Sequence, residues 1–188
     1  MKLIKLSILI LTMVSSFVFA LPGDEQLTGD TKTACEVILC LSSSTRPPEC
    51  SAPISKYFSI KIYHHGSFSP NRTIKARKNF LNLCPVSNQN NKMSSLVDAM
   101  SNQLDENLCK ARELNRTIDK AHGKYRTTAT LPVYCNALFN HEYTNLKRPK
   151  YTCNKEFYDA KDWRRGYTIT KKWFREIKKP IKKTCWID

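Results

Sequence analysis

The chain has 188 residues, of which 41% are hydrophobic and 25% charged, so it can bury a core and is not a disordered tail. It contains only 5 glycines, which excludes a collagen-like or Gly-rich fibrous protein. Its 31 Lys and Arg residues outnumber its 16 Asp and Glu residues, which gives a formal charge of +15 and favours anionic partners.

The first twenty residues have the organisation of a secretory signal peptide. Lys2 and Lys5 precede an apolar run over residues 6–19, and the segment ends on Ala20. The run is shorter than the roughly 20 apolar residues that a membrane-spanning helix needs. We therefore predict cleavage after Ala20 and export of residues 21–188.

The positive charge is concentrated in the C-terminal quarter of the chain. Loss of Lys2 and Lys5 lowers the formal charge to +13, and residues 143–188 carry +9 of it. In an exported protein, acidic protein faces and anionic lipid headgroups are more available than nucleic acid. The expected partners are therefore proteins or an anionic membrane surface, and nucleic acid is not favoured.

The N-terminal part of the predicted mature chain changes from a polar arm to a helix. Residues 21–32 are polar and predict a loose arm. Thr33 and Glu36 form a capping box ahead of the apolar run 37–41, which predicts that the first helix begins there. Residues 42–50 contain three serines and a Pro-Pro pair, so we expect a loop.

Two further helices are predicted before residue 85. A short one begins at Ser51 and carries Tyr57 and Phe58, and a turn at residues 64–66 separates it from the next. The third follows Ser69 and extends to Cys84, with proline at its first position. Its basic side chains are expected to face solvent: Arg72, Lys75, Arg77 and Lys78.

Residues 93–118 contain the longest periodic stretch. Their apolar residues recur at intervals of three and four, the spacing of one helical face, and Gly123 follows where a helix cap is favoured. An extended segment is predicted over residues 124–131, and a helix over residues 133–143. Thr170 is predicted to cap a last helix that ends at Pro180.

These patterns predict a mainly α fold, namely a compact disulfide-stapled helical domain with at most a small β element. A single domain is expected over residues 21–188, with a helical core over 33–122 and a basic C-terminal part over 123–188.

Eight cysteines remain after removal of the signal peptide. Neither a zinc site nor thiol redox chemistry is favoured, because no two cysteines have C-x-x-C spacing. An even number in an oxidising compartment favours four structural disulfides, although 105 pairings are possible. The cysteines are Cys35, Cys40, Cys50, Cys84, Cys109, Cys135, Cys153 and Cys185.

A search for catalytic patterns gives no candidate residue, metal site or cofactor. The sequence lacks G-x-S-x-G, H-E-x-x-H and a phosphate-binding glycine loop. It also lacks the segments expected of a small ribonuclease or a secreted phospholipase. The four histidines are therefore interpreted as solvated or capping residues, and the protein is predicted not to be an enzyme.

Aromatic and basic residues alternate near the C-terminus. This mixture could contact a partner or a membrane surface, or it could dock aromatic side chains on the core with lysines in water. Adjacent Tyr57 and Phe58 offer a second candidate face beside the Pro-Pro loop, because both cannot point fully inward. The candidate interaction residues are Tyr57, Phe58, Trp163, Arg164, Arg165, Lys171, Lys172 and Arg175.

Two cysteine-bearing segments resemble a known family. The first, residues 34–60, contains Cys35, Cys40, Cys50 and the pair Tyr57-Phe58; the second, residues 75–85, ends in Phe-Leu-x-x-Cys-Pro. Together they resemble the TrbM/KikA/MpfK family of conjugal transfer proteins. The resemblance covers residues 35–85, and the C-terminal half rests on physical interpretation alone.

The resemblance implies a periplasmic accessory of a plasmid type IV secretion system that acts in mating-pair formation. It implies no enzymatic activity and no catalytic residues, and its expected partners are other exported components of the conjugation machinery. The alternative is a secreted, basic, disulfide-rich toxin or hydrolase that acts on RNA, lipid or peptidoglycan.

Overall fold

The computed structural model describes residues 27–188, so the predicted signal peptide lies outside the described residues. Four longer helices form most of the N-terminal half, and three short helices follow them. The helices are α1 (Gly29–Ser42), α2 (Ser51–Ser59), α3 (Pro70–Leu81), α4 (Asn91–Ser101), α5 (Ala111–Leu114), α6 (Val133–Phe139) and α7 (Ala160–Arg165), and a single 3-10 turn covers Pro48–Cys50.

Within residues 27–188, nine short strands form four small antiparallel sheets. They pair as β1–β2, β3–β4–β6, β5–β9 and β7–β8. The strands are β1 (Tyr63–His64), β2 (Ser67–Phe68), β3 (Ile118–Ala121), β4 (Lys124–Thr127), β5 (Lys150–Tyr151), β6 (Tyr158–Asp159), β7 (Tyr167–Lys172), β8 (Arg175–Pro180) and β9 (Trp186–Ile187). With 41% of the described residues in helices and 19% in strands, the fold mixes α and β structure, and the prediction of a mainly α fold is wrong.

The main core lies between α1, α2, α3, α4 and α6. Val37 of α1, Tyr57 of α2, Leu81 of α3 and Val97 of α4 are fully buried in it, and α6 adds Leu138. A smaller cluster joins α5 to the C-terminal strand β9, where Leu114 packs with buried Trp186. No helix within residues 27–188 is long and apolar enough to cross a membrane.

Helix α1 begins earlier than the capping box predicts. It starts at Gly29 after the extended residue Thr28. Asp30 lies in its first turn, where a negative charge interacts favourably with the helix dipole. Thr33 donates its hydroxyl to the carbonyl of Gly29, 3.0 Å away and one turn back. The C-terminal end of the predicted loose arm is therefore helical.

The prediction of a long helix over residues 93–118 is wrong. Helix α4 ends at Ser101, turns occupy residues 102–110, and the chain reaches strand β3 at Ile118. The turns are held by polar contacts, since the Asp105 carboxylate accepts from the backbone N–H of Asn107 at 2.8 Å. Gly123 does not cap a helix; it lies in the β3–β4 turn with φ of 72°, next to His122 with φ of 48°.

The predicted helix from Thr170 to Pro180 is also wrong, because this segment forms most of the β7–β8 hairpin. Residues 168–170 are Thr, Ile and Thr, whose β-branched side chains favour extended backbone. Gly166 ends α7 in the left-handed conformation, and its carbonyl accepts from the N–H of Ile181 at 2.8 Å. This bond closes the base of the hairpin.

Several sequence predictions are confirmed. Helix α2 begins at Ser51, and residues 64–67 form the turn and ends of the β1–β2 hairpin. Helix α3 begins with Pro70 after Ser69 as predicted, but it ends at Leu81 rather than at Cys84. Strand β4 lies in the segment predicted to be extended. Helix α6 begins at Val133 as predicted but ends at Phe139 rather than at residue 143, and its Cys135 and Leu138 are buried.

Candidate functional site

All eight cysteines form disulfides, which confirms the prediction of four structural bridges. In the N-terminal half, Cys35–Cys84 joins α1 to the turn after α3, and Cys40–Cys50 joins α1 to the 3-10 turn. In the C-terminal half the bridges are Cys109–Cys135 and Cys153–Cys185. Each disulfide therefore joins two cysteines of the same half, and none of the four joins the N-terminal half to the C-terminal half.

Arg77 is the largest fully buried side chain, although its helical position predicts exposure. Its Nη1 donates to the carbonyls of Gln103 and Leu104, both at 2.9 Å, in the turn that follows α4. Its Nη2 donates to Phe58 O at 3.0 Å, and its Nε donates to Ile60 O at 3.1 Å, at the end of α2. One guanidinium thus joins α2, α3 and the segment where the predicted long helix is broken.

Aromatic rings complete the surroundings of this guanidinium. Its central carbon lies 4.9 Å from the ring centroid of Phe58 and 5.3 Å from that of Tyr57, within the range of cation–π attraction. Burial lowers the pKa of Arg77, and the nearby Tyr57 and Asp105 oppose that effect. Burial also raises the pKa of Tyr57, whose hydroxyl donates to Met100 O at 3.1 Å. These contacts tie α2, α3 and the end of α4 to one another.

A cleft of about 500 Å³ lies beside this network, and we call it the proline cleft. Phe58 forms part of its apolar wall, and Arg46 approaches Glu106 at 4.0 Å. It combines apolar surface with charged groups of both signs. Its lining residues are Arg46, Pro47, Pro48, Cys50, Ser51, Ile54, Ser55, Phe58, Asp105, Glu106 and Asn107.

The β7–β8 hairpin is the most exposed element of the C-terminal half. Every residue from 170 to 180 is exposed. Trp173 and Phe174 form the turn between the strands and are 89% and 101% exposed. Lys172 pairs directly with Arg175 across the hairpin, so basic side chains lie immediately behind the aromatic turn.

The structure places the predicted interaction residues in different environments. Tyr57 is buried, and Trp163 is only 8% exposed, with its ring stacked on Tyr158. Neither can offer a free surface, so we correct their assignment as interaction residues. Phe58 is half-buried at the wall of the proline cleft.

The remaining candidates are basic residues of α7 and the hairpin. Arg164 is exposed, and Arg165 is held by Asp162 at 2.6 Å and by the carbonyl of Tyr167. Three further exposed candidates lie near the tip of the hairpin: Lys171, Lys172 and Arg175.

The four histidines lie in three separate places within residues 27–188. His64 ends strand β1 and His65 lies in the turn after it, both exposed, and His122 lies in the β3–β4 turn. His141 is bonded to Ser95 Oγ at 3.0 Å and to Lys92 O at 2.9 Å. The described residues contain no group of three or more His, Cys, Asp or Glu side chains arranged to hold a metal ion.

Sequence reasoning missed two features of the candidate site. It placed Arg77 on the solvent face, because the carbonyls that bind it come from residues distant in the sequence. It also placed Trp173 and Phe174 on a helix, although Lys-Lys-Trp-Phe-Arg marks an unusual concentration of cations around two aromatics. That composition indicated a possible contact surface, but it did not indicate a hairpin.

No curated protein and no solved structure matches the chain at a significant level. A family model described as TrbM matches residues 26–175. The match includes both segments that carry the resemblance, and it continues through the C-terminal half to the tip of the β7–β8 hairpin. Because this match covers most of the chain, the protein belongs to the TrbM family of conjugal transfer proteins.

Proposed function

We propose that the protein is a periplasmic accessory of a plasmid conjugation system and acts in mating-pair formation by binding other exported components. The observation that carries this proposal is the use of all eight cysteines in four disulfides by a member of a conjugal transfer family. Disulfides form and persist in oxidising compartments such as the bacterial periplasm. The predicted signal peptide ending at Ala20 agrees with this location.

Location is tested by fractionating donor cells that carry the protein at its natural level. We expect the mature chain in the periplasmic fraction, beginning at Leu21, with its four disulfides resistant to thiol labelling. Reduced protein in the cytoplasmic fraction would contradict the proposal. A cytoplasmic marker and a periplasmic marker in the same fractions control for leakage.

The proline cleft is the docking face that we propose for a protein partner. It is open to solvent, and the 3-10 turn and α2 that line it are held by Cys40–Cys50 and by the Arg77 contacts to the end of α2. A rigid face loses little conformational entropy when a partner binds. Apolar walls with charged groups of both signs suit a protein segment that carries apolar anchors and polar backbone.

Photo-crosslinking tests this face in living donor cells. Ser55 is exposed and lines the cleft, so a photoreactive amino acid placed there should form an adduct with another exported component of the transfer machinery. The matched control is Lys75, which is exposed on α3 outside the cleft. Equal adducts at both positions, or none at Ser55, would contradict docking in the cleft.

A substitution that fills the cleft tests whether the cleft is needed for plasmid transfer. Ser55→Trp should lower the frequency of plasmid transfer at least about tenfold while protein levels remain normal, because a large ring would occupy the space of an interface anchor. Lys75→Trp should leave transfer unchanged. Normal transfer by Ser55→Trp would count against this face.

We also propose that the protein acts by binding and has no enzymatic activity. The family is a conjugal transfer accessory family without a known enzymatic activity. The purified mature chain should therefore not turn over RNA, lipid or peptidoglycan. Turnover of any of these substrates, lost on mutation of a specific side chain, would support the toxin or hydrolase alternative instead.

A further inference from the structure

The β7–β8 hairpin extends away from the rest of the protein. Its strands contain six residues each, and a six-residue strand spans about 20 Å. Contacts to the body lie at its base, where Ile181 N–H donates to Gly166 O and Arg165 donates to the carbonyl of Tyr167. Beyond Ile169, both strands are exposed to solvent on both faces.

The tip of this hairpin carries two adjacent aromatic residues. Trp173 and Phe174 are 89% and 101% exposed, whereas the other two tryptophans, Trp163 and Trp186, are 8% and 6% exposed. Single exposed apolar side chains are common on protein surfaces, but contiguous apolar groups mark interaction sites. Tryptophan in particular favours the interface between lipid headgroups and acyl chains.

Turn chemistry does not explain these aromatic residues. Trp173 has φ of 57°, in the left-handed region that costs a bulky side chain about 1 kcal/mol or more. Two-residue hairpin turns favour Asn and Gly at such positions. The tip therefore combines an exposed apolar pair with an unfavourable backbone conformation, which indicates a role other than folding.

Basic residues lie on both faces of the hairpin behind the tip, but only one face lacks an acidic residue. Side chains of directly paired residues point to the same face, and this face contains Lys172 opposite Arg175 and Lys179 opposite Thr168. Like charges directly opposite each other destabilise a hairpin. The other face includes Lys171, which lies 3.8 Å from Glu176 and is partly neutralised by it. The first face therefore presents uncompensated positive charge.

We propose that the β7–β8 hairpin binds the surface of an anionic lipid bilayer. Trp173 and Phe174 insert at the level of the headgroups, and Lys172, Arg175 and Lys179 contact lipid phosphates. The order of groups along the hairpin favours a bilayer, because an apolar tip followed by cations matches the order of acyl chains and phosphates with depth. This property belongs to the protein alone, so it is tested without the conjugation machinery.

Vesicle binding by the disulfide-intact mature chain tests the proposal directly. We expect sedimentation with vesicles of phosphatidylglycerol and phosphatidylethanolamine, weakening as salt is raised, and little binding to phosphatidylcholine alone. Because the other two tryptophans are buried, a blue shift of tryptophan emission on binding would report Trp173. Brominated lipids should quench that emission.

Two variants separate the aromatic and electrostatic contributions. Trp173→Asn with Phe174→Gly provides a favourable turn, so the hairpin should remain folded while vesicle affinity falls about tenfold or more and the emission shift disappears. Changing Lys172, Arg175 and Lys179 together to Gln should lower affinity by about 100-fold.

Matched controls use exposed residues elsewhere on the protein. Leu39→Ser with Val133→Ser removes apolar side chains that are 70% and 87% exposed, and should leave vesicle binding unchanged. The charge control changes exposed basic residues to Gln and should also have a small effect: Lys61, Arg72 and Lys75.

Three results would overturn the inference. They are absence of binding to the anionic vesicles, equal binding by the tip variant, and hairpin-dependent binding of single-stranded nucleic acid or an acidic protein without vesicle binding. None of them bears on the periplasmic accessory role, which is measured by fractionation, crosslinking and plasmid transfer.

Discussion

The ring of Phe58 lies 4.9 Å from the guanidinium carbon of Arg77, and this contact connects the proline cleft to the buried core. Phe58 contributes one face to the cleft, and its backbone carbonyl accepts from Arg77 at 3.0 Å. The shape of the candidate docking face therefore depends on a charged side chain that does not reach the surface.

Removal of the Arg77 guanidinium should destabilise the protein strongly. Arg77→Leu leaves four carbonyls without their donor, and we expect a loss of about 3 to 5 kcal/mol in the free energy of unfolding. Arg77→Lys should recover only part of this, because an ammonium cannot reproduce the planar arrangement of donors. Urea denaturation of the oxidised mature chain provides the measurement.

Arg72→Leu is the matched control for this prediction, because Arg72 is exposed on the same helix. Its free energy of unfolding should change by about 0.5 kcal/mol or less. Equal effects of the two substitutions would show that Arg77 does not organise the core.

Stability above pH 10 should depend on Tyr57. Burial raises the pKa of its phenol above the ordinary value of 10.0, so the folded chain retains a proton that the unfolded chain releases. This contribution is fully present below pH 10 and is lost as pH rises, at about 1.4 kcal/mol per pH unit. Urea denaturation gives the free energy of unfolding at each pH. Plotted against pH, the values for wild type and for Tyr57→Phe should converge. Parallel curves would contradict the assignment.

The disulfides should differ in their contribution to stability. Chain-entropy arguments give about 4 kcal/mol for Cys35–Cys84, with a sequence separation of 49, and about 3 kcal/mol for Cys40–Cys50, with a separation of 10. Paired Cys→Ala substitutions measured by thermal unfolding test this order. A larger loss on removal of the shorter loop would show that native packing outweighs loop length.

Charge reversal at the hairpin tip should reduce plasmid transfer. Changing Lys171, Lys172 and Arg175 together to Glu replaces exposed cations without altering the core, so protein levels should remain normal while transfer falls about tenfold or more. A triple reversal at Lys61, Arg72 and Lys75 provides the control. Unchanged transfer by the hairpin variant would exclude this surface from the accessory function.

Short sequence patterns predicted correctly those helix starts and turns whose local preference matches the final packing. The start of α2 at Ser51, the Ser69-Pro70 start of α3 and the turn at residues 64–66 depend on residues near one another in the sequence, and the structure contains all three. The family resemblance over residues 35–85 was confirmed by a match over residues 26–175. Cysteine number and the signal-like N-terminus predicted four bridges, but the pairing required the fold.

Long-range contacts explain the failures. The apolar period in residues 93–118 is compatible with one helix, but Arg77 binds the carbonyls of Gln103 and Leu104 in the turn after Ser101. Nothing near these residues in the sequence encodes that contact. The hairpin was missed because its turn is formed by Trp173 and Phe174, which lack the Asn-Gly signal that usually marks such turns.

The order in which the cysteines leave the membrane differs from the order in which they pair. Three bridges join cysteines that are consecutive in the chain, whereas Cys35 must remain available past Cys40 and Cys50 until Cys84 arrives. An oxidant that acts on cysteines as they emerge would first join Cys35 to Cys40, and thiol–disulfide exchange would then have to correct that bond. Under oxidation in that order, the N-terminal half would need isomerisation to reach its native pairing, whereas the C-terminal half would reach its own without it.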